Sequence, residues 1–235
     1  MADGIYVSMC GAAARSEQLE SIADNLANAQ TPGFKAARPS FESFLPASGA
    51  DDKVYPAAVA TGFDLRPGAV SHTGNPLDVL PEDGAFLMVR TPSGGVAFTR
   101  DGRLSLDAEQ RLVQSGRPVL DRGGVPIRVP PGAALEIGAD GVVRAGGTAV
   151  AELGRFRLTG AVDRVGPSLL APGRGGRADL VDARVRAGEV ELGNAGALEA
   201  TVDLISAQRS FDASMQALQT YRSLDGRAAE IGRIR

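Results

Sequence analysis

The 235-residue sequence predicts an α+β fold: long N- and C-terminal helices packed as a coiled coil, with a central antiparallel all-β domain between them. Near both ends, apolar residues recur at heptad spacing, which is typical of helices that pack on other helices. From residue 76 to about 170, turn residues recur at about ten-residue intervals, which is typical of short antiparallel strands. The patterned ends are expected to pack on each other or on neighbouring copies, which indicates assembly rather than catalysis.

The N-terminal helix is predicted to run from about Asp3 to Asn28. Asp3 can cap this helix and places negative charge near its positive end. The helix should end before Gly33, because Pro32 disfavours the α conformation at Thr31 and glycine readily adopts a positive φ. One side of the helix carries an apolar heptad row, here called the N-terminal seam, which consists of Ile5, Met9, Ala12, Ser16, Leu19, Ala23 and Leu26.

The C-terminal helix is predicted to begin between Asn194 and Thr201 and to continue towards Ile231. Both Asn194 and Thr201 can cap a helix, and Gly226 should weaken its last part. Its apolar row, the C-terminal seam, consists of Leu204, Phe211, Met215, Leu218, Tyr221, Leu224, Ala228 and Ile231.

Prolines at 39, 46, 56, 67 and 76 interrupt any long helix after the first, and predict an irregular connection with short strands. A glycine- and proline-rich stretch marks a second connection after the β region. The chain therefore divides into five predicted segments: an N-terminal assembly helix and junction (1–35), an extended connector (36–75), a central β domain (76–170), a return connector (171–195) and a C-terminal assembly helix (196–235).

Three tight hairpins are predicted within the β domain. At 100–102 and at 139–141, three-residue loops ending in glycine place apolar residues opposite one another, whereas two-residue turns would not. A related loop at 108–110 would require Gln110 to adopt a left-handed conformation at a cost of about 1 kcal/mol. The predicted partners are Phe98 with Leu104 and Val96 with Leu106, Ile137 with Val143 and Leu135 with Ala145, and Leu106 with Leu112.

Composition excludes several classes of function. A single cysteine, Cys10, and a single histidine, His72, provide neither an intrachain disulfide nor the usual His/Cys metal cage. The net charge of −3 is unlike the basic footprint of a nucleic-acid-binding protein. The N-terminus lacks the pattern of a cleaved secretory signal, and no stretch has the length needed to span a bilayer. We therefore predict no cofactor, no small-molecule substrate, no nucleic-acid partner and no membrane insertion.

The end of the first predicted helix carries a long motif, Asn25-Leu26-Ala27-Asn28-Ala29-Gln30-Thr31-Pro32-Gly33-Phe34-Lys35. This motif resembles the N-terminal signature of flagellar basal-body rod and hook proteins. The runs Gly74–Val79, Gly84–Phe86 and Phe98–Gly102 resemble the central segments of the same family. The runs Gly196–Glu199 and Ala207–Phe211 resemble the start of its terminal helix. These matches follow the family's order over nearly the whole chain. The short length, without a large inserted outer domain, favours the proximal rod type over the distal rod and hook types.

The resemblance implies a structural subunit of the flagellar rod rather than an enzyme. Such subunits polymerise helically with copies of themselves and with other rod proteins to form the drive shaft. The resemblance further implies export by the flagellar type III apparatus without a cleaved signal, and a final position in the periplasmic part of the basal body. The expected assembly residues are Ile5, Met9, Ala12, Leu19, Ala23, Asn25, Leu26, Asn28, Thr31, Gly33, Phe34, Leu204, Gln208, Arg209, Phe211, Met215, Leu218, Tyr221 and Leu224.

Two other interpretations remain open at this stage. A β-rich hydrolase or binding module would use carboxylates such as Asp78, Glu82 and Asp83, but acid–base chemistry needs a convergent geometry that sequence does not show. A secreted adhesin or another filament subunit would also polymerise, but it would lack the rod motif. The chain also departs from the family pattern, with Ala200 and Thr201 at positions where serine and asparagine are usual.

Overall fold

A computed structural model of the protein describes residues 2–44 and 55–233. The chain divides into two compact units. The first, here called the helical unit, comprises Met1–Ala27, Ala37–Gly62 and Gly196–Arg235. The second, the β unit, comprises Asn28–Ala36 and Phe63–Ala195. The backbone therefore passes between the units at four places, after residues 27, 36, 62 and 195.

The helical unit contains two helices, α1 (Ala2–Ala27) and α2 (Ala197–Arg233), which pack against each other. Strands β1 (Ala37–Phe44) and β2 (Tyr55–Phe63) pair with each other, and β1 also packs against α1. Helix α2 begins directly after Gly196, whose carbonyl accepts a hydrogen bond from the Ala200 N–H at 2.8 Å. Glu199 in its first turn places negative charge at the positive end of the helix.

The predicted coiled coil of two long terminal helices is wrong. Helix α1 has only 26 residues against 37 in α2, and it buries the N-terminal seam only in part. Its buried residues include Ala14 and Ile22, which lie outside the N-terminal seam, whereas Met9 and Ala23 of that seam are exposed. The partly or fully buried positions 14, 18, 22 and 25 follow the 3.6-residue period of a straight helix.

The physical reason lies in the composition of the N-terminal seam. Ala12, Ser16 and Ala23 are small, so the row buries too little apolar surface to impose a supercoil of 3.5 residues per turn. The helix therefore keeps its own period, and its neighbours select which residues are buried. Sequence periodicity over about three heptads was too weak a signal to separate these two faces.

The β unit is built from sixteen short strands, and all of its pairs with a recorded register are antiparallel. Its largest sheet has six strands, in the order β14 (Val162–Gly166), β15 (Leu169–Pro172), β6 (Val96–Thr99), β5 (Phe86–Arg90), β13 (Arg155–Thr159) and β16 (Arg177–Leu180). The strands are β3 (Val70–His72), β4 (Val79–Pro81), β5 (Phe86–Arg90), β6 (Val96–Thr99), β7 (Leu104–Leu106), β8 (Leu112–Gln114), β9 (Arg117–Pro118), β10 (Leu135–Ile137), β11 (Val142–Ala145), β12 (Thr148–Glu152), β13 (Arg155–Thr159), β14 (Val162–Gly166), β15 (Leu169–Pro172), β16 (Arg177–Leu180), β17 (Val185–Ala187) and β18 (Glu189–Glu191).

Two of the three predicted hairpins are confirmed in register. Ile137 pairs with Val143 and Leu135 with Ala145, and Leu106 pairs with Leu112. Gln110 has a φ of 58°, so it occupies the left-handed position that the third hairpin requires. Both loops are local, which is why turn chemistry and apolar alternation were sufficient to place them.

The hairpin predicted at 100–102 is wrong. Strand β6 pairs with β5 and β15, whereas β7 pairs with β8, so the chain crosses from one sheet to another at this loop. Gly102 is needed there for close approach, because a Cβ atom at this position would lie 1.6 Å from the Val79 carbonyl oxygen. Apolar alternation is satisfied equally well when the two strands pack into different sheets, so sequence alone favoured the simpler pairing.

The core of the β unit consists of two apolar clusters. The larger one gathers buried side chains from β4 to β17, and the smaller one lies around Phe86, Met88, Phe98 and Leu158. In the smaller cluster, the rings of Phe98 and Phe156 meet edge to face with centroids 5.3 Å apart. The fully buried members of the larger cluster are Val79, Leu87, Val89, Ala97, Leu112, Val119, Val143 and Leu153.

Candidate functional site

Helix α1 carries six residues of the predicted assembly interface whose side chains the structure describes. Ala12 is buried, Leu19, Asn25 and Leu26 are partly buried, and Met9 and Ala23 are exposed. Ile5 lies outside the residues whose side chains are described. Only part of the predicted row is thus covered within the chain.

Helix α2 buries much of the predicted C-terminal seam. Leu218 is buried, and Leu204, Phe211 and Met215 are partly buried. Ala200 and Ala207 are also buried and lie on the same side of the helix, at heptad spacing with Leu204. Four predicted residues are exposed instead: Gln208, Arg209, Tyr221 and Leu224.

A second apolar row on α2, which the sequence analysis missed, is exposed. Leu198, Val202 and Ile205, here called the α2 outer row, have exposed fractions of 81%, 60% and 50%. Their spacing of four and three residues places them on one face of a helix. This spacing is visible in the sequence, but the longer C-terminal seam on the same helix was the more prominent pattern. Val202 and Ile205 also line a shallow depression that includes Arg209.

The turn that follows α1 is held by hydrogen bonds of Asn25 and of Asn28. Within the helical unit, Asn25 Nδ2 donates to the Ala37 carbonyl and Asn25 Oδ1 accepts from the Ala37 N–H, both at 2.8 Å. Within the β unit, the Thr31 N–H donates to the Asn28 carbonyl at 2.9 Å, and the Thr31 hydroxyl donates to Asn28 Oδ1 at 3.2 Å. Asn25 thus ties the end of α1 to the start of β1, and Asn28 closes the following turn with Thr31.

Gly33 is required by both conformation and space. Its φ is +70°, and a Cβ atom there would lie 2.1 Å from the backbone nitrogen of Asp101. Its N–H donates to the Glu191 carbonyl at 2.8 Å. The next residue, Phe34, is fully buried, and the Arg164 guanidinium lies over its ring at 4.4 Å from the centroid. The Pro-Gly-Phe part of the motif thus packs tightly within the β unit.

A buried ionic group follows directly. Lys35, Arg100 and Glu191, here called the ionic triad, are all buried. Lys35 Nζ lies 2.6 Å from Glu191 Oε1, and Arg100 Nε donates to Glu191 Oε2 at 2.8 Å. Arg100 also donates to the carbonyls of Pro81 and Ala85. The sequence analysis quoted Lys35 and Arg100 as motif residues but assigned no role to either, and missed Glu191.

The triad shifts the acidity of its members. Burial lowers the pKa of Lys35 below its ordinary value, although the charge and hydrogen bond of Glu191 act in the opposite direction. Burial would raise the pKa of Glu191, but the hydrogen bonds and charges of Arg100 and Lys35 outweigh that effect and hold it below its ordinary value. Glu191 is therefore a carboxylate at neutral pH, paired with two cations.

Two of the three carboxylates considered for acid–base chemistry have structural partners. Asp78 accepts a hydrogen bond from Asn75 Nδ2 at 3.1 Å, and Glu82 lies 3.3 Å from Arg186. Asp83 is an exposed turn residue with a φ of 51°. Across residues 2–44 and 55–233, no three His, Cys, Asp or Glu side chains are grouped so that they could hold a metal ion. In the same part of the chain, neither helix combines the length and hydropathy of a membrane span.

Three protein-family models match the chain in sequence order. "Flagella basal body rod protein" matches residues 5–35, "Flagellar hook protein FlgE/F/G D1 domain" matches 82–145, and "Flagellar basal body rod FlgEFG protein C-terminal" matches 186–231. The first covers α1 and the junction motif, the second covers the centre of the β unit, and the third covers β18 and most of α2. The chain belongs to the flagellar basal-body rod protein family.

Curated relatives agree over almost the full length. The chain is 34% identical to the flagellar basal-body rod protein FlgF of Mesorhizobium japonicum, over 90% of each chain. It is 32% identical to FlgF of Escherichia coli, over 98% of each chain. It is 28% identical to FlgG of Buchnera aphidicola, over 94% of this chain and 96% of the relative. These comparisons confirm the predicted family, with FlgF-type relatives at higher identity than FlgG-type ones.

Proposed function

We propose that this chain is a structural, non-catalytic subunit of the flagellar rod that polymerises helically through exposed surfaces of its terminal helices. The α2 outer row supports this proposal most directly, because three large apolar side chains lie exposed on one face of a helix. The family model for rod-protein C-termini covers all three of these residues. Met9, Ala23, Tyr221 and Leu224, exposed members of the predicted interface, extend the candidate surface.

The free energy of burying the α2 outer row is suited to an assembly that forms only when many copies meet. Full burial of one Val, Leu or Ile side chain is worth about 1.5–3 kcal/mol, so the outer row supplies a few kcal/mol at each contact. That is too little for a stable dimer after the cost of association, but it adds up when each subunit contacts several neighbours. A contact between unlike patches leaves an open array, as a shaft requires.

The finer features of this proposal come from the family resemblance. The chain would occupy the FlgF-type, proximal position in the rod, beside copies of itself and other rod proteins. It would reach the periplasmic part of the basal body through the flagellar type III export apparatus, without a cleaved signal. The rod would then transmit torque through many interlocked contacts, with no bond-making chemistry.

A charge substitution in the outer row tests the proposal. Val202→Asp places a carboxylate in the proposed contact, where its burial would be costly. Val125→Asp, in the β unit, is a matched control because Val125 has an exposed fraction of 59% against 60% for Val202. In the source bacterium we expect Val202→Asp to abolish swimming in soft agar at normal protein levels, and Val125→Asp to swim normally.

Electron cryomicroscopy of isolated basal bodies provides the second measurement. Density for this chain should lie in the shaft, in the proximal part. Density at the distal end would instead favour the FlgG-type position. Wild-type swimming by the Val202→Asp strain, or density for the chain outside the shaft, would contradict the proposed function.

A further inference from the structure

The backbone passes between the two units at four places. At three of these places, the adjoining segments of the β unit lie close to one another. The segment 34–36 precedes β1, the segment 63–68 follows β2, and the segment 191–195 precedes α2. Backbone bonds already join them, since the Asp64 N–H donates to the Ala36 carbonyl at 2.8 Å and the Asn194 N–H donates to the Phe34 carbonyl at 3.3 Å. The ionic triad lies at the same place.

Side chains tie each of these segments to the other two. Lys35 Nζ donates to Glu191 Oε1 at 2.6 Å and to the Arg66 carbonyl at 2.7 Å. The same Glu191 oxygen accepts from the Gly68 N–H at 3.1 Å. Asn194 accepts from the Ala36 N–H at 2.7 Å. Its amide nitrogen donates to the carbonyls of Asp64 and Arg66 at 2.7 and 3.0 Å.

Arg100 joins this arrangement to the rest of the β unit. Its guanidinium holds the second oxygen of Glu191 and donates to carbonyls of Pro81, at the end of β4, and Ala85, just before β5. The carboxylate is thereby held from both sides, by Lys35 at the chain crossings and by Arg100 in the sheet region. The three charged residues lie 65 and 91 positions apart in sequence, and the fold alone brings them together.

Stability alone does not account for burying three charges. Removing ions from water costs about as much as their mutual attraction returns, so a well-packed apolar cluster would serve as well. A buried ionic group instead favours one arrangement of the three segments over all others, because any displaced arrangement leaves a buried charge without its partner.

We propose that Lys35, Arg100, Glu191 and Asn194 form a junction clasp that fixes the paths by which the chain leaves the β unit. These are positioning residues, which act by holding the segments 34–36, 63–68 and 191–195 in one arrangement. The hydrogen bonds within the β unit carry the proposal, and only its consequence for rod assembly rests on the proposed function.

Amide hydrogen exchange on the purified full-length chain tests the clasp. Lys35→Met keeps the length of the side chain and removes its charge and donors. Arg144→Met is the matched control, since it removes an exposed pair with Asp140 at 2.6 Å elsewhere in the β unit. We expect Lys35→Met to accelerate exchange at the amides of Asp64, Gly68 and Asn194 by about tenfold or more beyond the acceleration at the Leu112 amide of the core, which reports the loss of global stability. Arg144→Met should change none of them.

A second variant separates positioning from the loss of a buried charge. Asn194→Leu breaks the amide ties to 36, 64 and 66 without altering any charge, and should give the same local pattern at Asp64 and Gly68. Acceleration spread evenly over the junction and the core would show that these residues only stabilise the β unit globally, and would overturn the proposal. Unchanged exchange in both variants would overturn it as well.

The result of the hydrogen-exchange test does not depend on the proposed function. Exchange is measured on the isolated chain and needs no rod. If the clasp fails this test while Val202→Asp still abolishes swimming, the assembly proposal stands without it. If the clasp passes while Val202→Asp swims normally, the junction is fixed but the outer row is not the assembly contact.

Discussion

Replacing Gly33 by alanine probes the tightest point of the junction motif. Two separate costs apply there. The first is conformational, since a residue with a Cβ atom at φ +70° loses about 1–2 kcal/mol. The second is steric, because the new Cβ would lie 2.1 Å from the Asp101 nitrogen and 2.6 Å from the Arg100 carbonyl carbon.

These steric neighbours are backbone atoms, so no side chain can rotate away to relieve the clash. Forcing an extra methyl group into a well-packed site costs about 1–3 kcal/mol. The two terms together predict a loss of about 2–5 kcal/mol in the free energy of unfolding. For a chain of this size, each kcal/mol lowers Tm by about 2–4 °C.

Gly74→Ala is the matched control. Gly74 has a φ of +72°, but no atom lies within 4 Å of the Cβ position. The conformational cost and the reduced entropy of the unfolded chain are shared by both variants, so they cancel in the comparison. Thermal and denaturant unfolding followed by circular dichroism should show Gly33→Ala less stable than Gly74→Ala by about 1–3 kcal/mol. Equal stability of the two variants would refute the close-approach argument.

Two further predictions concern the triad and α2. Glu191→Gln should lower stability at neutral pH, because it leaves two buried cations without their counter-ion, a loss of about 3–5 kcal/mol. Because the folded pKa of Glu191 lies below its ordinary value of 4.5, the carboxylate's contribution is present above pH 4.5 and is lost as the pH falls through the folded value. The difference between wild type and variant should therefore narrow in acid, and a constant difference in urea titrations from pH 7 to pH 3 would contradict this. On α2, Leu218→Ala should cost about 2–4 kcal/mol and Leu224→Ala about 0.5 kcal/mol or less, since the residues are 6% and 48% exposed. Similar effects of the two leucine variants on thermal unfolding would argue against the packing of α2.

Local chemistry made parts of the β unit predictable. The hairpin loops at 108–110 and 139–141 are set by residues within a few positions of one another, and Gln110 adopts the strained conformation expected of it. The loop at 100–102 carries similar turn residues but connects two sheets. Nothing within the loop distinguishes these cases, because the choice depends on β5 and β15, which flank β6 in the folded sheet.

The helices, too, were predictable from the sequence only in part. Heptad spacing correctly indicated helices at both ends, but it did not determine which face of α1 would be buried. Ile22 is buried although it lies outside the N-terminal seam, and Met9 within the seam is exposed. A row in which three of seven residues are alanine or serine gives no strong preference among faces, so contacts with α2 and β1 select one.

Sequence by itself determined the family, the helical ends, the β-rich centre and the position of the junction motif, because each rests on residues close together in the chain. Tertiary structure alone decided the helix faces, the sheet crossing after β6 and the meeting of Lys35, Arg100 and Glu191. Which residue pairs with a buried charge depends on the path of the whole backbone. Residues so distant in sequence show no local sequence pattern that indicates their pairing.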